Sequence, residues 1–204
     1  MMYLPVPRRL RSRRDPPAIM ETDQPILEET ARRELLALSR ATLEGYLATD
    51  RIPEWDVVHP ELRRRSGAFV SLHKGEELRG CIGMLSEDHE LFRTVQRCTI
   101  SAALEDSRFR PVTPEEVPEL SIEISVLSPL RRVTDVGLIE VDKHGLVITL
   151  GNLRGLLLPQ VATKYHWDRD TFLAQTCRKA GLPSNAWRDP KVVIQIFEAQ
   201  VFSE

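Results

Sequence analysis

A cysteine between two glycines, in a stretch that otherwise resembles a strand, is the residue of this sequence best suited to chemistry. Residues Leu78–Gly83 have the sequence LRGCIG. Glycine is normally avoided inside strands, so two of them predict a bulge or a close approach by another group. Alternate strand residues share a face. Arg79 and Cys81 are therefore predicted to lie side by side, with Leu78 and Ile82 on the opposite face.

An arginine on that face would change the acidity of the thiol. A fixed positive charge stabilises the thiolate and lowers the cysteine pKa from its free value of about 8.5. This interpretation makes Cys81 the candidate nucleophile and Arg79 the group that lowers its pKa or binds an anionic substrate. The alternative is that Cys81 is a small buried residue that fills a gap, and the pattern leaves both interpretations open.

Several common catalytic motifs are missing from the sequence. It contains no GxxxxGK[ST] or GxGxxG phosphate loop, no HExxH, no paired-cysteine zinc spacing and no GxSxG elbow. The five histidines are scattered along the chain. We therefore predict no cofactor and no metal site.

Composition narrows the function class and the compartment. The chain has 204 residues, 42% hydrophobic and 28% charged, and no apolar run approaches the ~20 residues of a membrane span. Its three cysteines, Cys81, Cys98 and Cys177, are odd in number and lack CxxC spacing, which favours a reducing, cytoplasmic setting. Five arginines before Asp15 leave a net charge of −7 on the remainder, which argues against nucleic-acid binding.

Hydrophobic periodicity predicts a mixture of helices and strands after a basic leader. We expect residues 1–24 to be disordered, with Met20 as an alternative start, and residues 25–204 to form one domain. Helices are predicted at 25–47, after Ser86, from Pro159 and from Asp168 or Asp170; strands are predicted at 68–72, 78–83, 120–128, 146–150, 155–158 and 191–202, with an irregularity near Glu198. Because no regular βαβ rhythm is present, we predict an α+β fold with a mainly antiparallel sheet.

Two of these elements make further predictions about side chains. Cys98 and Cys177 fall on the apolar stripes of predicted helices, so both are expected in the core. The strand at 120–128 alternates cleanly and places Glu123 and Ser125 on its polar face. That face either meets solvent or lines a cleft.

The LRGCIG stretch and its companions resemble the signature of the AMMECR-type domain, known in microbes as AmmeMemoRadiSam system protein A. The similarity covers about residues 25–204, in the family's order. The supporting stretches are Gly67–Val70, Arg108-Phe109, Ser121–Ser128, His144–Leu146, Leu157–Ala162 and Lys179–Pro183. One departure is the segment Asp106–Pro111, where the family usually shows more proline.

The resemblance carries implications for fold and partners. It implies an α+β fold with a larger and a smaller lobe, and a cleft near the cysteine motif. It also implies a functional partnership with a Memo-type protein and a radical SAM protein. It does not specify a reaction.

Two function hypotheses follow. In the first, the protein is an enzyme or enzyme component with Cys81 as nucleophile or covalent carrier, Arg79 as its charge partner, His144 as proton-transfer residue and Glu123 as the group that orients it. The candidate ligand-binding residues are Gly80, Gly83, Ser125, Arg154 and Gln160, the two glycines leaving backbone N–H groups free for an oxyanion. In the second hypothesis the same cleft is a non-catalytic binding module. For His144, Glu123 and Gln160, purely structural roles in a turn, at the surface or in a cap remain open alternatives.

Overall fold

The computed structural model describes residues 26–204, which form two four-stranded antiparallel sheets with helices packed on each. In chain order the helices are α1 (Glu29–Thr49), α2 (Leu91–Leu104), α3 (Pro159–Lys164) and α4 (Arg169–Lys179). The strands are β1 (Ala68–Lys74), β2 (Glu77–Met84), β3 (Leu120–Leu127), β4 (Arg131–Val133), β5 (Gly145–Leu150), β6 (Leu153–Leu157), β7 (Val193–Phe197) and β8 (Ala199–Ser203). Short 3-10 turns connect several of them.

The first sheet, in the order β2-β1-β3-β8, and helices α1 and α2 make the larger lobe. Its core lies between one sheet face and the two helices, because every second residue of the strands is apolar and faces them. Val70, Leu72, Ile122 and Ile124 are fully buried there, as is Leu35 of α1. The other face of this sheet is free to carry polar residues.

The second sheet, in the order β4-β7-β5-β6, forms the smaller lobe with α3 and α4. Its core packs Leu146, Ile148 and Ile196 against Phe172 and Cys177 of α4. Asp168 accepts a hydrogen bond from the backbone N–H of Thr171 and so caps α4 at the residue where the sequence predicts a helix start.

A third apolar cluster joins the lobes. Val147 and Phe197 from the second sheet are buried with Leu127 of the first, and Phe69 packs beside them. The chain also links the sheets directly, because β7 ends at Phe197 in the second sheet and β8 begins at Ala199 in the first.

The α+β prediction with two unequal lobes is confirmed, whereas two details of the elements are wrong. The expected single closing strand divides at Glu198, the site of the predicted irregularity, and its halves enter different sheets. Helix α2 begins at Leu91, five residues after the expected cap Ser86. Cys98 and Cys177 are buried as predicted, with exposed fractions of 1% and 0%. The predicted leader lies outside the described residues.

Between residues 26 and 204 the structure has no helix that is both long and apolar enough to cross a bilayer.

Candidate functional site

Three polar residues form a row across the face of the first sheet that is turned away from α1 and α2. Ser71 of β1 is paired with Cys81 on one side and with Glu123 on the other. Because directly paired residues of neighbouring strands project to the same face, the thiol, hydroxyl and carboxylate stand in line. The Ser71 hydroxyl donates a hydrogen bond to the Cys81 sulfur over 3.2 Å. We call this surface the Cys81 face.

The next row on the same face leads towards the smaller lobe. It contains Gly83, Phe69 and Ser125, each two residues along its strand from the first row. The Gln160 side chain of α3 donates a hydrogen bond to the Ser125 hydroxyl over 3.4 Å. Helix α3 therefore reaches from the smaller lobe onto the Cys81 face, beside the apolar cluster that joins the lobes.

Several polar groups on this face have no protein partner among residues 26–204. The half-buried Glu123 carboxylate makes no hydrogen bond or ion pair there. The buried Gln160 Oε1 and His73 Nε2 atoms likewise have no hydrogen-bond partner. Buried polar atoms are nearly always paired in native proteins, so two unpaired buried atoms beside an unpaired carboxylate are typical of a surface that binds something else.

The Cys81 thiol is half-buried, and its surroundings raise its pKa above the ordinary value. Burial is the main cause, and the carboxylates of Asp106 and Glu123 add to it; the Ser71 hydrogen bond and the charge of Arg108 act in the opposite direction. The thiol form therefore dominates at neutral pH. This geometry does not support the lowered thiol pKa that the first of the two sequence-based interpretations expects.

The main chain of Cys81 is held by two side chains from the loop after α2. Strand β2 is an edge of the first sheet, and the Cys81 N–H donates to the Asp106 carboxylate over 2.9 Å. Arg108 donates to the Cys81 carbonyl over 3.4 Å and pairs with Asp106 over 2.6 Å. A charged pair thus takes the place of a neighbouring strand at this position.

Arg79 does not lie beside the sulfur, which corrects the sequence-based expectation. The register shifts between Leu72 and His73, whose partners are Gly80 and Leu78, so that Arg79 is an extra residue in a β-bulge. A bulge interrupts the alternation of side chains and redirects the bulged residue. The Arg79 guanidinium instead pairs with Glu116 over 3.0 Å and donates to the carbonyl of Arg110 over 2.9 Å.

Packing accounts for both glycines of the motif. A Cβ atom at Gly80 would lie 2.1 Å from the Ala102 carbonyl oxygen of α2, on the face opposite the thiol. A Cβ atom at Gly83 would lie 2.1 Å from the ring of Phe69. The two glycines allow the close approach that the sequence predicts; for Gly80 the approaching group is a helix.

His144 and Arg154 belong to the smaller lobe. His144 is buried at the start of β5, where its Nδ1 accepts the Glu140 N–H over 3.0 Å, and burial lowers its pKa. No hydrogen bond or ion pair of the described chain connects His144 with Cys81, so it is not placed as a base for this thiol. Arg154 is exposed on β6, two residues before Leu156 of the joining cluster.

The structure thus brings Cys81, Glu123, Ser125, Gln160 and Gly83 to one face, and it separates Arg79, Gly80 and His144 from them. Sequence reasoning missed Ser71, His73, Asp106 and Arg108. The alternation of side chains along β1 could have placed Ser71 and His73 on this face. The contact of Asp106 with Cys81 spans 25 residues, and no pattern in the neighbouring sequence indicates it. Among the described residues, no group of three or more His, Cys, Asp or Glu side chains is arranged to hold a metal ion.

Comparison with known proteins gives the class to which this fold and site belong. A crystal structure of an uncharacterized protein from Pyrococcus horikoshii superposes with a TM-score of 0.80 at 37% identity, covering 83% of this chain and 89% of that one. A protein of Thermococcus gammatolerans is 40% identical over 181 residues, 83% of this chain and 88% of its own length. One from Methanothermobacter thermautotrophicus is 41% identical over 181 residues, covering 84% and 93%.

The AMMECR1 family profile matches residues 36–202. The chain belongs to the AMMECR1 family.

Proposed function

We propose that this protein is a binding component of an AmmeMemoRadiSam system and that the Cys81 face is its binding surface. The observation that carries the proposal is the set of unpaired polar groups on that face: the Glu123 carboxylate, Gln160 Oε1 and His73 Nε2. A ligand or partner segment that supplies N–H or O–H donors would satisfy the Glu123 carboxylate and Gln160 Oε1, which are both acceptors. Cys81, a small residue, leaves room for close approach at the centre.

The proposed partners are a Memo-type protein and a radical SAM protein, as the resemblance of the LRGCIG stretch and its companions implies. The first test is to measure binding of the full chain to each partner from the same organism by titration calorimetry. Glu123→Gln removes the unpaired charge, and we expect it to weaken association about tenfold. Glu87→Gln is the matched control, because Glu87 is exposed and lies outside the Cys81 face.

Two results would count against this proposal. If the chain binds neither the Memo-type protein nor the radical SAM protein, the proposed partnership is wrong. Binding that is equally strong in the wild type and in Glu123→Gln would place the interface elsewhere on the surface.

An enzymatic role is the second candidate, and the Ser71–Cys81 hydrogen bond favours it. If the Ser71 hydroxyl turned and the Glu123 side chain, the next in the row, moved into hydrogen-bond contact with it, the hydroxyl would accept the thiol proton and pass its own proton to the carboxylate. The thiolate sulfur would then add to the carbon of a polarised double bond in a bound ligand, and the π electron pair of that bond would move to its electronegative atom. Because the pKa of Cys81 is raised, this deprotonation would have to accompany ligand binding.

A further inference from the structure

A pocket of about 440 Å³ lies on the helix side of the first sheet, away from the Cys81 face. Its walls are the loop at residues 52–55 and the first turns of α2, and Arg63 closes one side. The volume falls within the range of small-molecule sites. We call it the arginine pocket because Arg63, Arg93 and Arg97 all line it.

The positive charge of this pocket is only partly neutralised. Glu90 is shared between Arg63, at 4.0 Å, and Arg93, at 3.3 Å. Arg97 has no carboxylate partner among the described residues, and its hydrogen bond goes to His89 Nε2 over 3.1 Å. Glu54 is the only acidic residue in the described lining. Three guanidinium groups around one cavity favour an anion with several oxygens, since their N–H donors match phosphate geometry.

The walls of the pocket also offer planar apolar surface. Phe92 is buried beneath Arg93 and Arg63, whose guanidinium carbons lie 4.9 and 5.8 Å from the centre of its ring. Trp55 also lines the pocket and is half-buried, and its indole N–H donates to Glu34 over 3.2 Å. Stacked guanidinium groups keep their in-plane N–H donors directed outwards, and the half-exposed indole of Trp55 favours a flat ligand.

The arrangement is built before any ligand arrives. Gln96 donates to the Pro53 carbonyl over 3.0 Å and ties the loop to α2. The Leu91 N–H donates to the Arg64 carbonyl over 2.8 Å and fixes the start of the helix. A site that is organised in advance loses less free energy to ordering when it binds.

We propose that the arginine pocket binds a small phosphate monoester carried on a planar apolar ring. The phosphate lies against Arg97 and Arg93, and the ring lies against the indole of Trp55. This site shares no residue with the Cys81 face, so its test is independent of the function proposed above.

The experiment titrates the full chain with phenyl phosphate by calorimetry while following tryptophan fluorescence. We expect saturable binding, weaker binding of inorganic phosphate, and no binding of uncharged phenol. Arg97→Ala should weaken binding of phenyl phosphate about tenfold or more, and Arg97→Lys less. Arg132→Ala, which removes the same charge from an exposed residue outside the pocket, should leave it unchanged. Trp55→Phe should abolish the ligand-dependent change in fluorescence.

Three outcomes would overturn the proposal. The first is no saturable binding of phenyl phosphate by the wild type. The second is an equal loss in Arg97→Ala and Arg132→Ala, which indicates general attraction to positive charge. The third is that benzoate binds as tightly as phenyl phosphate, which removes the preference for phosphate.

Discussion

The Asp106 carboxylate accepts the main-chain N–H of Cys81 over 2.9 Å, at the open edge of the first sheet. This bond fixes the backbone that carries the thiol, while the Ser71 hydroxyl contacts the sulfur itself. The loop after α2 and the strand β1 therefore position Cys81 from two sides. The Asp106 side chain is 5% exposed, so its charge depends on Arg108 and on this N–H rather than on water.

Asp106→Asn should destabilise the fold by about 1.5–3 kcal/mol at pH 7, because hydrogen bonds to charged groups contribute about that much. The Arg108 side chain and the Cys81 N–H hold the pKa of Asp106 well below its usual range. A folded-state pKa below the unfolded value gives stability that is present above that value, about 3.9, and is lost as the pH falls.

Urea unfolding at several pH values measures this effect. The wild type and Asp106→Asn should differ most at neutral pH and converge as the pH falls below about 4. Asp88→Asn, at an exposed residue, is the control and should stay within about 0.5 kcal/mol of the wild type. A constant difference between wild type and Asp106→Asn across the pH range would show that Asp106 acts through packing rather than through its charge.

The Cys81 thiol should be alkylated slowly at neutral pH. Because burial and nearby carboxylates raise its pKa, the midpoint of its rate profile with iodoacetamide should lie above the roughly 8.5 of a free cysteine. Glu123→Gln removes one of those negative charges and should move the midpoint down, whereas Glu87→Gln should not.

Peptide mapping by mass spectrometry separates Cys81 from the other two thiols. Burial raises the pKa of Cys98 to about 12, and Cys177 is fully buried, so neither should be labelled in the folded protein. A Cys81 midpoint well below 8 would restore the interpretation of a ready nucleophile and favour the enzymatic candidate.

The sequence predicts the hairpin and its polar face well because alternation is a local property. Ser125 and Glu123 project from β3 as the period of two requires, and Ser71 joins them through strand pairing. The failure at Arg79 has a specific cause. Arg79 is a single extra residue in β2, and it breaks the alternation of side chains. The stretch LRGCIG does not show whether its glycines mark a bulge or a close approach by a helix.

Long-range placement accounts for the remaining misses. The Asp106–Arg108 pair reaches Cys81 only because β2 is an edge strand, a fact of topology that the linear pattern does not contain. The same holds for the last strand. Its apolar residues predict β structure. They do not indicate that the strand divides at Glu198, because the division depends on β7 pairing in the second sheet and β8 in the first.

Gly80→Ala should be more disruptive than Gly83→Ala. The added Cβ at Gly80 meets a backbone oxygen of α2 at 2.1 Å, which only a shift of the helix can relieve. At Gly83 the obstacle is the Phe69 ring, a side chain that has more freedom to move. We expect a loss of about 1–3 kcal/mol for Gly83→Ala and a larger one for Gly80→Ala.

The comparison is made by chemical denaturation, with Gly45→Ala as control. Gly45 lies inside α1, and its nearest obstacle is Pro53 at 3.5 Å, an ordinary contact. The control should therefore gain up to about 1 kcal/mol from helix propensity. If Phe69→Leu restores stability to Gly83→Ala but not to Gly80→Ala, the two different obstacles are verified; equal rescue of both would contradict them.

His144 should make the fold less stable in mild acid. Burial lowers its pKa below the ordinary value, although Glu140 and Glu198 oppose this, so the unfolded chain binds a proton more readily than the folded one. The contribution of His144 to stability is then complete above the unfolded pKa of about 6.5 and falls as the pH drops through that value.

His144→Asn keeps a short acceptor for the Glu140 N–H but removes the titration. Urea midpoints between about pH 8 and pH 5 should decline less steeply in this variant than in the wild type, whereas the exposed control His166→Asn should follow the wild type. An unchanged slope in His144→Asn would mean that another group titrates in this range and that burial does not hold His144 neutral.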